Sequence, residues 1–230
     1  MSISFKSFLL IFFLIFCCVS CTNNNVNEKE TAIVKIEDSV FYTFDKKNTK
    51  IIWNGYKTSD KIKVVGFFTD FTTVYDDLDT VFNSPISLVS GLRFSINSAS
   101  SSSGDEIRDS NLRQYFFNLL TEKFTINGVL GVPGSSSAGL ECPSDSIDVI
   151  FNVFSIERKI RFGYSFDNKK MLIEIKGPIR LGNEFGAIKA YNAIHEKCYD
   201  LHKGGDGVSK TWDIVDVHVK VPVIEVSREL

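Results

Sequence analysis

The segment VDVHVKVPV, residues 215–223, places a valine at every second position. Three of the four residues between the valines, Asp216, His218 and Lys220, are polar. Successive side chains of a strand point to opposite faces, so this period of two predicts an antiparallel strand with one face in the core and one in water. The segments LRFSIN (92–97) and IRFGYSFD (160–167) alternate in the same way.

Five more segments have the composition of strands and are separated by polar turns. They are IIWNGYK (51–57), IKVVGFFTDF (62–71), FTINGVLGV (124–132), IDVIFNVFSI (147–156) and MLIEIKG (171–177). The chain therefore holds about eight predicted strands without the alternation of strands and helices that marks a parallel sheet. Such a pattern favours a closed antiparallel barrel or a sandwich.

Two segments have helical spacing instead. In the first, at about 105–120, one face carries Ile107, Leu112, Phe116 and Leu119 or Leu120, and acidic residues occupy the first turn, where the helix dipole favours them. In the second, at about 184–202, one face carries Ala187, Ala190, Tyr191, Ile194, Cys198 and Leu201. Both apolar faces are expected to pack against the sheet.

The segment HKGGDGVSKTW, residues 202–212, ends in Lys-Thr after several glycines, as a phosphate-binding loop does. A phosphate loop needs a glycine directly before the lysine, and it lies between a strand and the helix that follows. Here Ser209 precedes Lys210, and the order is helix, then strand. The segment therefore predicts a turn without nucleotide, with Gly204 and Gly205 ending the helix in a positive-φ conformation and Gly207 reversing the chain.

The stretch LRFSINSASSSSGDEIRDSNLRQYFFNLLTEKFTINGVL, residues 92–130, resembles the signature region of the YceI-like family. The shared features are a strand ending near Ser-Ile, a Ser/Gly-rich loop, Arg108-Asp109, Leu112, a Phe-Phe pair and a strand beginning near Phe124. The segment VVGFFTDF, residues 64–71, is similar to the Gly-x-Phe segment of that family. The usual His-Ser of the opening strand is replaced by Asn48-Thr49, which departs from the family pattern.

This resemblance implies an all-β fold, an extended antiparallel eight-stranded lipocalin-like barrel with helical insertions at about 105–120 and 184–202. It further implies an exported protein with a long apolar channel that holds an isoprenoid or quinone-like chain. The residues expected to line the channel are Trp53, Phe68, Phe94, Ile96, Phe151, Phe162, Tyr164 and Phe166. Arg108 either binds a polar head group at the channel mouth or forms an ion pair that holds the helix to the barrel.

Two alternatives to lipid binding remain open at the level of sequence. The twenty Phe residues of the chain would also suit a barrel whose interior is filled by side chains, which would make the protein a structural surface lipoprotein. His195, Cys198 and His202 follow one another at helical spacing and could serve a metal- or thiol-dependent enzyme, although Cys198 belongs to the apolar face. No GxSxG or HExxH motif is present, so we predict no catalytic residue, metal or cofactor.

The N-terminus predicts export and membrane attachment. Lys6 precedes an apolar run from Phe8 to Val19, which is shorter than the roughly 20 residues that span a bilayer. CVSC (18–21) resembles a bacterial lipobox with Cys21 as the lipid-anchored residue, and it departs from the usual pattern in having Cys18 where an aliphatic residue is common. The alternatives are plain signal cleavage nearby and an uncleaved anchor. We therefore expect a signal peptide at 1–20, a flexible tether at 21–38 and the barrel domain at 39–230, in a lipoprotein of the bacterial cell envelope, periplasmic or at the outer membrane.

Charge and cysteine usage fit that compartment. A formal net charge of −2 provides no basic field for nucleic acid. After loss of the signal and lipidation of Cys21, Cys142 and Cys198 are left in an oxidising space, and a disulfide between them is predicted. The expected partners are an apolar lipid and, through the anchor, a membrane, while a homodimer is left open.

Overall fold

Antiparallel strands make up most of the structure, a computed structural model that describes residues 40–74, 82–134, 145–153, 156–182 and 185–227. The strands are β1 Val40–Phe44, β2 Lys50–Lys57, β3 Ile62–Phe68, β4 Phe71–Val74, β5 Arg93–Asn97, β6 Ser101–Ser102, β7 Thr125–Leu130, β8 Ser146–Val153, β9 Ile156–Asp167, β10 Leu172–Arg180 and β11 Ile214–Ser227. The helices are α1 Glu106–Asn111, which continues as a π-helical segment Leu112–Phe117 into α2 Asn118–Leu120, and α3 Ile188–Lys197. Short 3-10 turns lie at Ser98–Ser100, Glu122–Phe124 and Asp200–His202.

The strand pairs form a closed ring. In spatial order β5, β7, β8, β9, β10, β11, β2 and β3 are neighbours, and every pair is antiparallel. The ring closes because β3 continues into β4 and β5 into β6, and these two stretches pair with each other twice, β4 with β5 and β3 with β6. The predicted all-β, lipocalin-like barrel is therefore confirmed.

The eleven strands of the described residues correspond to eight barrel strands, of which three are interrupted. β1 and β2 pair with successive parts of β11 on either side of the turn at 45–49. The break between β3 and β4 is held by side chains, since the backbone N–H groups of Thr69 and Asp70 both donate to Ser100 Oγ, at 3.2 and 3.1 Å. The predicted single strand at 62–71 is thus divided, because the Ser100 hydroxyl takes the place of ladder acceptors.

Both helical insertions lie at the same end of the barrel, which we call the helical end. It includes the turn Thr58–Lys61 and α3, which joins the paired ends of β10 and β11 at Arg180 and Ile214. α3 packs against the π-helical segment, so the two insertions cover this end together. In the described part of the chain, no helix is long and apolar enough to span a bilayer.

The helical faces pack less completely than the spacing predicts. Phe116, Leu120 and Ile194 are buried in the core, as expected of an apolar face. Phe117, which the spacing did not place on that face, is buried as well. Ile107 and Leu201, which were expected to pack on the sheet, are 73% and 63% exposed. The prediction was wrong for these two because they border an opening at the helical end and have no barrel wall to pack against.

The segment 202–212 forms a turn between α3 and β11. Lys203 and Ser209 form an isolated antiparallel bridge, and Lys203 N–H donates to Asp200 O at 3.4 Å. The backbone φ is +74° at Gly207 but is not positive at Gly204 or Gly205. The predicted reversal at Gly207 is therefore correct, whereas the predicted helix end at the first two glycines is wrong, because the 3-10 turn ends in extended backbone at Lys203.

Candidate functional site

A cavity of about 410 Å³ occupies the barrel interior toward the helical end; we call it the main cavity. Most of its wall is hydrocarbon, contributed by strand residues and by the helical insertions. Four of the predicted channel residues, Trp53, Phe68, Ile96 and Phe151, line it. Trp53 is held in place by its indole N–H, which donates to Ser101 Oγ at 3.1 Å.

A second cavity of about 110 Å³, the small cavity, lies deeper in the barrel. Phe94 and Phe162 line it, and Ile51, Ile96, Phe151 and Val217 line both cavities. Phe151 contacts Phe94 and Phe185 edge-on, with ring centroids 5.9 and 5.5 Å apart. The aromatic wall around Phe151 thus stands where the two cavities meet.

The last two predicted channel residues have a different position. Tyr164 is buried and Phe166 is partly buried, and both pack in the core on β9. Neither lines the main or the small cavity. Alternation on a strand identifies the inward face, but it does not tell which inward side chains meet empty space and which meet each other.

Polar side chains are gathered at one end of the main cavity, next to the helical insertions. This polar end consists of Tyr56, Lys57, Asp105, Arg108, Asn111, His202 and Thr211. The exposed side chains of Ile107 and Leu201 also line the cavity here. The main cavity therefore has an apolar interior and one charged end that opens to solvent.

Arg108 makes the contacts of a structural ion pair. Its guanidinium lies 3.2 Å from Asp105 Oδ2 and donates to Ser103 Oγ at 3.2 Å. Asp105 caps α1 by accepting from Arg108 N–H, and the neighbouring buried Asp109 accepts from Ser103 N–H and Oγ–H. These bonds fasten the start of α1 to the loop before it. A head-group role for Arg108, which also lines the cavity, stays a prediction.

Lys57 is the functional candidate that sequence reasoning missed. It is the last residue of β2 and half-buried, on the same inward-facing row as Ile51, Trp53 and Gly55. It makes no ion pair with a carboxylate of the described residues. The signal in the sequence was its place in the alternation, two residues after Gly55 on the inward row, but a lysine at the end of a strand is ordinarily interpreted as a solvated residue.

The two histidines of the enzyme alternative are bound to one hydroxyl. His195 Nδ1 and His202 Nδ1 lie 2.9 and 2.6 Å from Thr211 Oγ1. A hydroxyl has one proton, so Thr211 can donate to at most one of the two rings, and it accepts where a ring Nδ1 carries a proton. Burial first, then the charges of Lys57, His195 and Arg108, lower the pKa of His202 to about 4, so this ring is neutral near pH 7.

Cys198 is a buried thiol on the wall of the main cavity. Burial raises the pKa of the Cys198 thiol, which makes it a poor nucleophile, although nearby Lys197 and Lys57 act in the opposite direction. Among the described residues no group of three or more His, Cys, Asp or Glu side chains is placed to hold a metal ion. Cys142 lies outside the described residues, and so does Cys21, so the predicted disulfide and lipid anchor stay predictions.

Solved structures resemble this barrel with its two helical insertions. A polyisoprenoid binding domain from Saccharophagus degradans is 13% identical, with a TM-score of 0.50, over 81% of this chain and 98% of that chain. The chain has the fold of that domain. BcnA from Burkholderia cenocepacia is 12% identical, with a TM-score of 0.48, over 79% of this chain and 99% of that chain. The YCEI protein from Campylobacter jejuni is 15% identical, with a TM-score of 0.42, over 73% of this chain and 86% of that chain.

The barrel fold that the resemblance of residues 92–130 implies is thereby confirmed. No family model and no curated protein matches the chain. In this fold, the residues that carry the resemblance have definite positions: the Ser/Gly-rich loop and Arg108-Asp109 start α1, and the Phe-Phe pair lies in the π-helical segment. Phe116 and Phe117 both line the main cavity, so the signature region forms part of its wall.

Proposed function

We propose that the barrel binds a long apolar lipid, an isoprenoid or quinone-like chain, in the main cavity. The observation that carries this proposal is a volume of about 410 Å³ walled mainly by hydrocarbon and open at one polar end. It is supported by the shared fold with a domain whose name describes polyisoprenoid binding. A filled barrel is disfavoured by the same volume, since packed protein interiors hold few voids larger than a water molecule.

The physical basis of binding is removal of apolar ligand surface from water. Each buried methylene contributes about 0.8 kcal/mol, and a chain lying along the wall needs few polar partners. A cavity lined by hydrocarbon is also a poor site for water, which requires two to four polar neighbours. Carriage, storage and sensing of the lipid are all compatible with this chemistry.

The proposal extends to the cell envelope. We infer that Cys21 carries a lipid anchor, that residues 21–38 tether the barrel domain 39–230, and that the protein works as a lipoprotein in the periplasm or at the outer membrane. A diacylglyceryl group on the N-terminal peptide, found by mass spectrometry, would support the anchor, and an unmodified peptide beginning elsewhere would refute it. A non-reduced peptide map shows whether Cys142 and Cys198 are joined.

A pair of neighbouring valines on β3 allows a matched test of the binding site. Val64 lines the main cavity, and Val65 is exposed on the outer face. Val64→Phe is expected to displace about two methylenes of bound chain and to weaken binding about tenfold. Val65→Phe adds the same atoms in water and is expected to leave the affinity unchanged.

The assay is a titration of the full-length chain with a polyprenyl quinone, in which binding is measured as quenching of tryptophan fluorescence. Trp53 and Trp212 both line the main cavity and report its occupation. The proposal fails if wild-type protein takes up no chain, or if Val64→Phe and Val65→Phe bind as tightly as each other. A metal- or thiol-dependent enzyme gains no support from this geometry, because the two imidazoles are bound to Thr211 and the Cys198 thiol has a raised pKa.

A further inference from the structure

The charges at the polar end of the main cavity do not balance. The charged side chains that line this end are Lys57, Asp105 and Arg108. Arg108 and Asp105 form an ion pair with an N–O separation of 3.2 Å and compensate each other. Lys57 forms no ion pair within the described part of the chain, so the polar end carries one uncompensated positive charge.

The charge of Lys57 acts on the groups beside it, including Asp105. The pKa of Asp105 is lowered chiefly by the hydrogen bond from Arg108 N–H, then by the charge of Arg108, with a further contribution from Lys57. One carboxylate thus faces two cations, so the charged side chains of the polar end keep a net charge of +1.

Burial is the main cause that lowers the pKa of His202, and the charge of Lys57 is the next. Lys57 and Arg108 also oppose the rise that burial causes in the pKa of Cys198. Both neighbours are therefore uncharged near pH 7, and neither compensates the ammonium. The nearby ammonium of Lys197 is engaged elsewhere, 5.1 Å from the centroid of the Tyr115 ring.

The strand geometry joins this charge directly to the apolar wall. Ile51, Trp53, Gly55 and Lys57 lie on one side of β2, and all four line the main cavity. At roughly 3.3 Å per residue, the row from Ile51 to Lys57 is about 20 Å long. An extended ligand along this row would have its hydrocarbon against Trp53 and its terminal group at Lys57.

We propose that the polar end of the main cavity is an anion site, with the Lys57 ammonium as its principal contact, and that the protein selects lipids with an acidic head group. This inference rests on the proposed lipid binding and specifies the ligand further: a carboxylate or a phosphate monoester at the end of the chain. A charged pair at the edge of an apolar cavity is less screened than one in open water, so an acid gains affinity that an alcohol of equal chain length does not. Arg108 is already paired and has the secondary role of holding α1 beside this site.

Paired ligands with identical chains provide the test. The full-length chain is offered equimolar hexadecanoate and hexadecanol, and separately farnesyl monophosphate and farnesol, and the bound species are counted by native mass spectrometry. In each pair we expect the acid to bind about tenfold better than the alcohol. Comparing the two pairs distinguishes a carboxylate from a phosphate as the preferred anion.

Variants of two lysines on the β2–β3 hairpin show whether the preference for the acid depends on the charge of Lys57. Lys57→Met keeps the aliphatic stem and should bind acid and alcohol equally, with the affinity for the alcohol unchanged. Lys57→Arg should keep the preference for the acid, which shows that a loss in Lys57→Met is a loss of charge and not of folding. Lys63 is on β3, exposed and outside the cavity lining, so Lys63→Met should behave as wild type.

The outcomes separate this inference from the proposed function. Equal binding of acid and alcohol by wild-type protein overturns the anion site and leaves lipid binding intact. A preference for the acid that survives in Lys57→Met overturns the role of Lys57. If neither chain binds, the proposed function itself fails, and the anion site fails with it.

Discussion

Removing the Phe151 ring should both weaken the barrel and lengthen its binding site. The ring is 8% exposed, lines both cavities and makes edge-on contacts with Phe94 and Phe185. Truncation of a buried Phe to Ala costs about 3–5 kcal/mol in the free energy of unfolding, since it loses burial and leaves empty volume. For Phe151→Ala we expect the upper part of that range, because the site already borders two cavities and cannot collapse onto close neighbours.

The same substitution should change which lipid fits. Without the ring, the main and small cavities become one continuous space, so a longer chain can be buried. Each further methylene contributes about 0.8 kcal/mol, or about fourfold in affinity. A ligand at about 100 times its Kd restores roughly 2.7 kcal/mol, so the longest chains should recover most of the stability that the variant has lost.

The assay is urea unfolding, monitored by far-ultraviolet circular dichroism. It is run without ligand and with a series of lipids of increasing chain length. Phe166→Ala is the matched control, because Phe166 packs in the core but lines neither cavity. The control should lose stability without any change in the preferred chain length. A loss below 1 kcal/mol for Phe151→Ala, or an unchanged chain-length preference, would refute this account of the wall.

Two further predictions concern the barrel itself. In Gly66→Ala the new Cβ would lie 2.1 Å from Trp53 Cζ2, so the indole must move and release Ser101, which should cost about 2–4 kcal/mol. In a Trp53→Ala background the cost should fall to the smaller part that comes from the Ser102 carbonyl oxygen, 2.9 Å from the new Cβ, and equal costs in both backgrounds would contradict this. The pKa of Glu174 is lowered, chiefly by the hydrogen bond from His218, so its stabilising effect should be present above pH 4.5, the ordinary value, and be lost as the pH falls through the lowered pKa. In Glu174→Gln the unfolding free energy should therefore fall less steeply as the pH is lowered. An unchanged pH dependence would show that the Glu174–His218 pair is not the source of this loss.

The strands were predictable because each has one wet and one dry face. VDVHVKVPV is the centre of β11, and all eight predicted strands are present in the barrel. The interruptions were not predictable, because they depend on single side-chain bonds between distant segments. The hydroxyl of Ser100, for example, accepts from the backbone of Thr69 and Asp70 about thirty residues earlier.

The cavity was only partly predictable, for a related reason. Alternation predicted the inward-facing residues, but Tyr164 and Phe166 contact only other side chains of the core, while Phe151 contacts side chains and also borders empty space. Whether an inward residue lines a void depends on the insertions above it, and helical spacing also placed Ile107 on a packed face when it is exposed at the opening. Lys57 could not be predicted as a site residue from the sequence, because only the folded barrel brings α1 and α3 beside the end of β2.

The most direct test of lipid binding is to identify the lipid that the protein carries when it is purified from the cells that make it. The full-length chain is purified under native conditions, extracted with organic solvent, and the extract is analysed by mass spectrometry against an equal amount of Val64→Phe protein. The account predicts a long-chain lipid in near-stoichiometric amount with the wild type and less with the variant. An extract without long-chain lipid, from protein that also takes up no polyprenyl or quinone-like chain when offered, would contradict it.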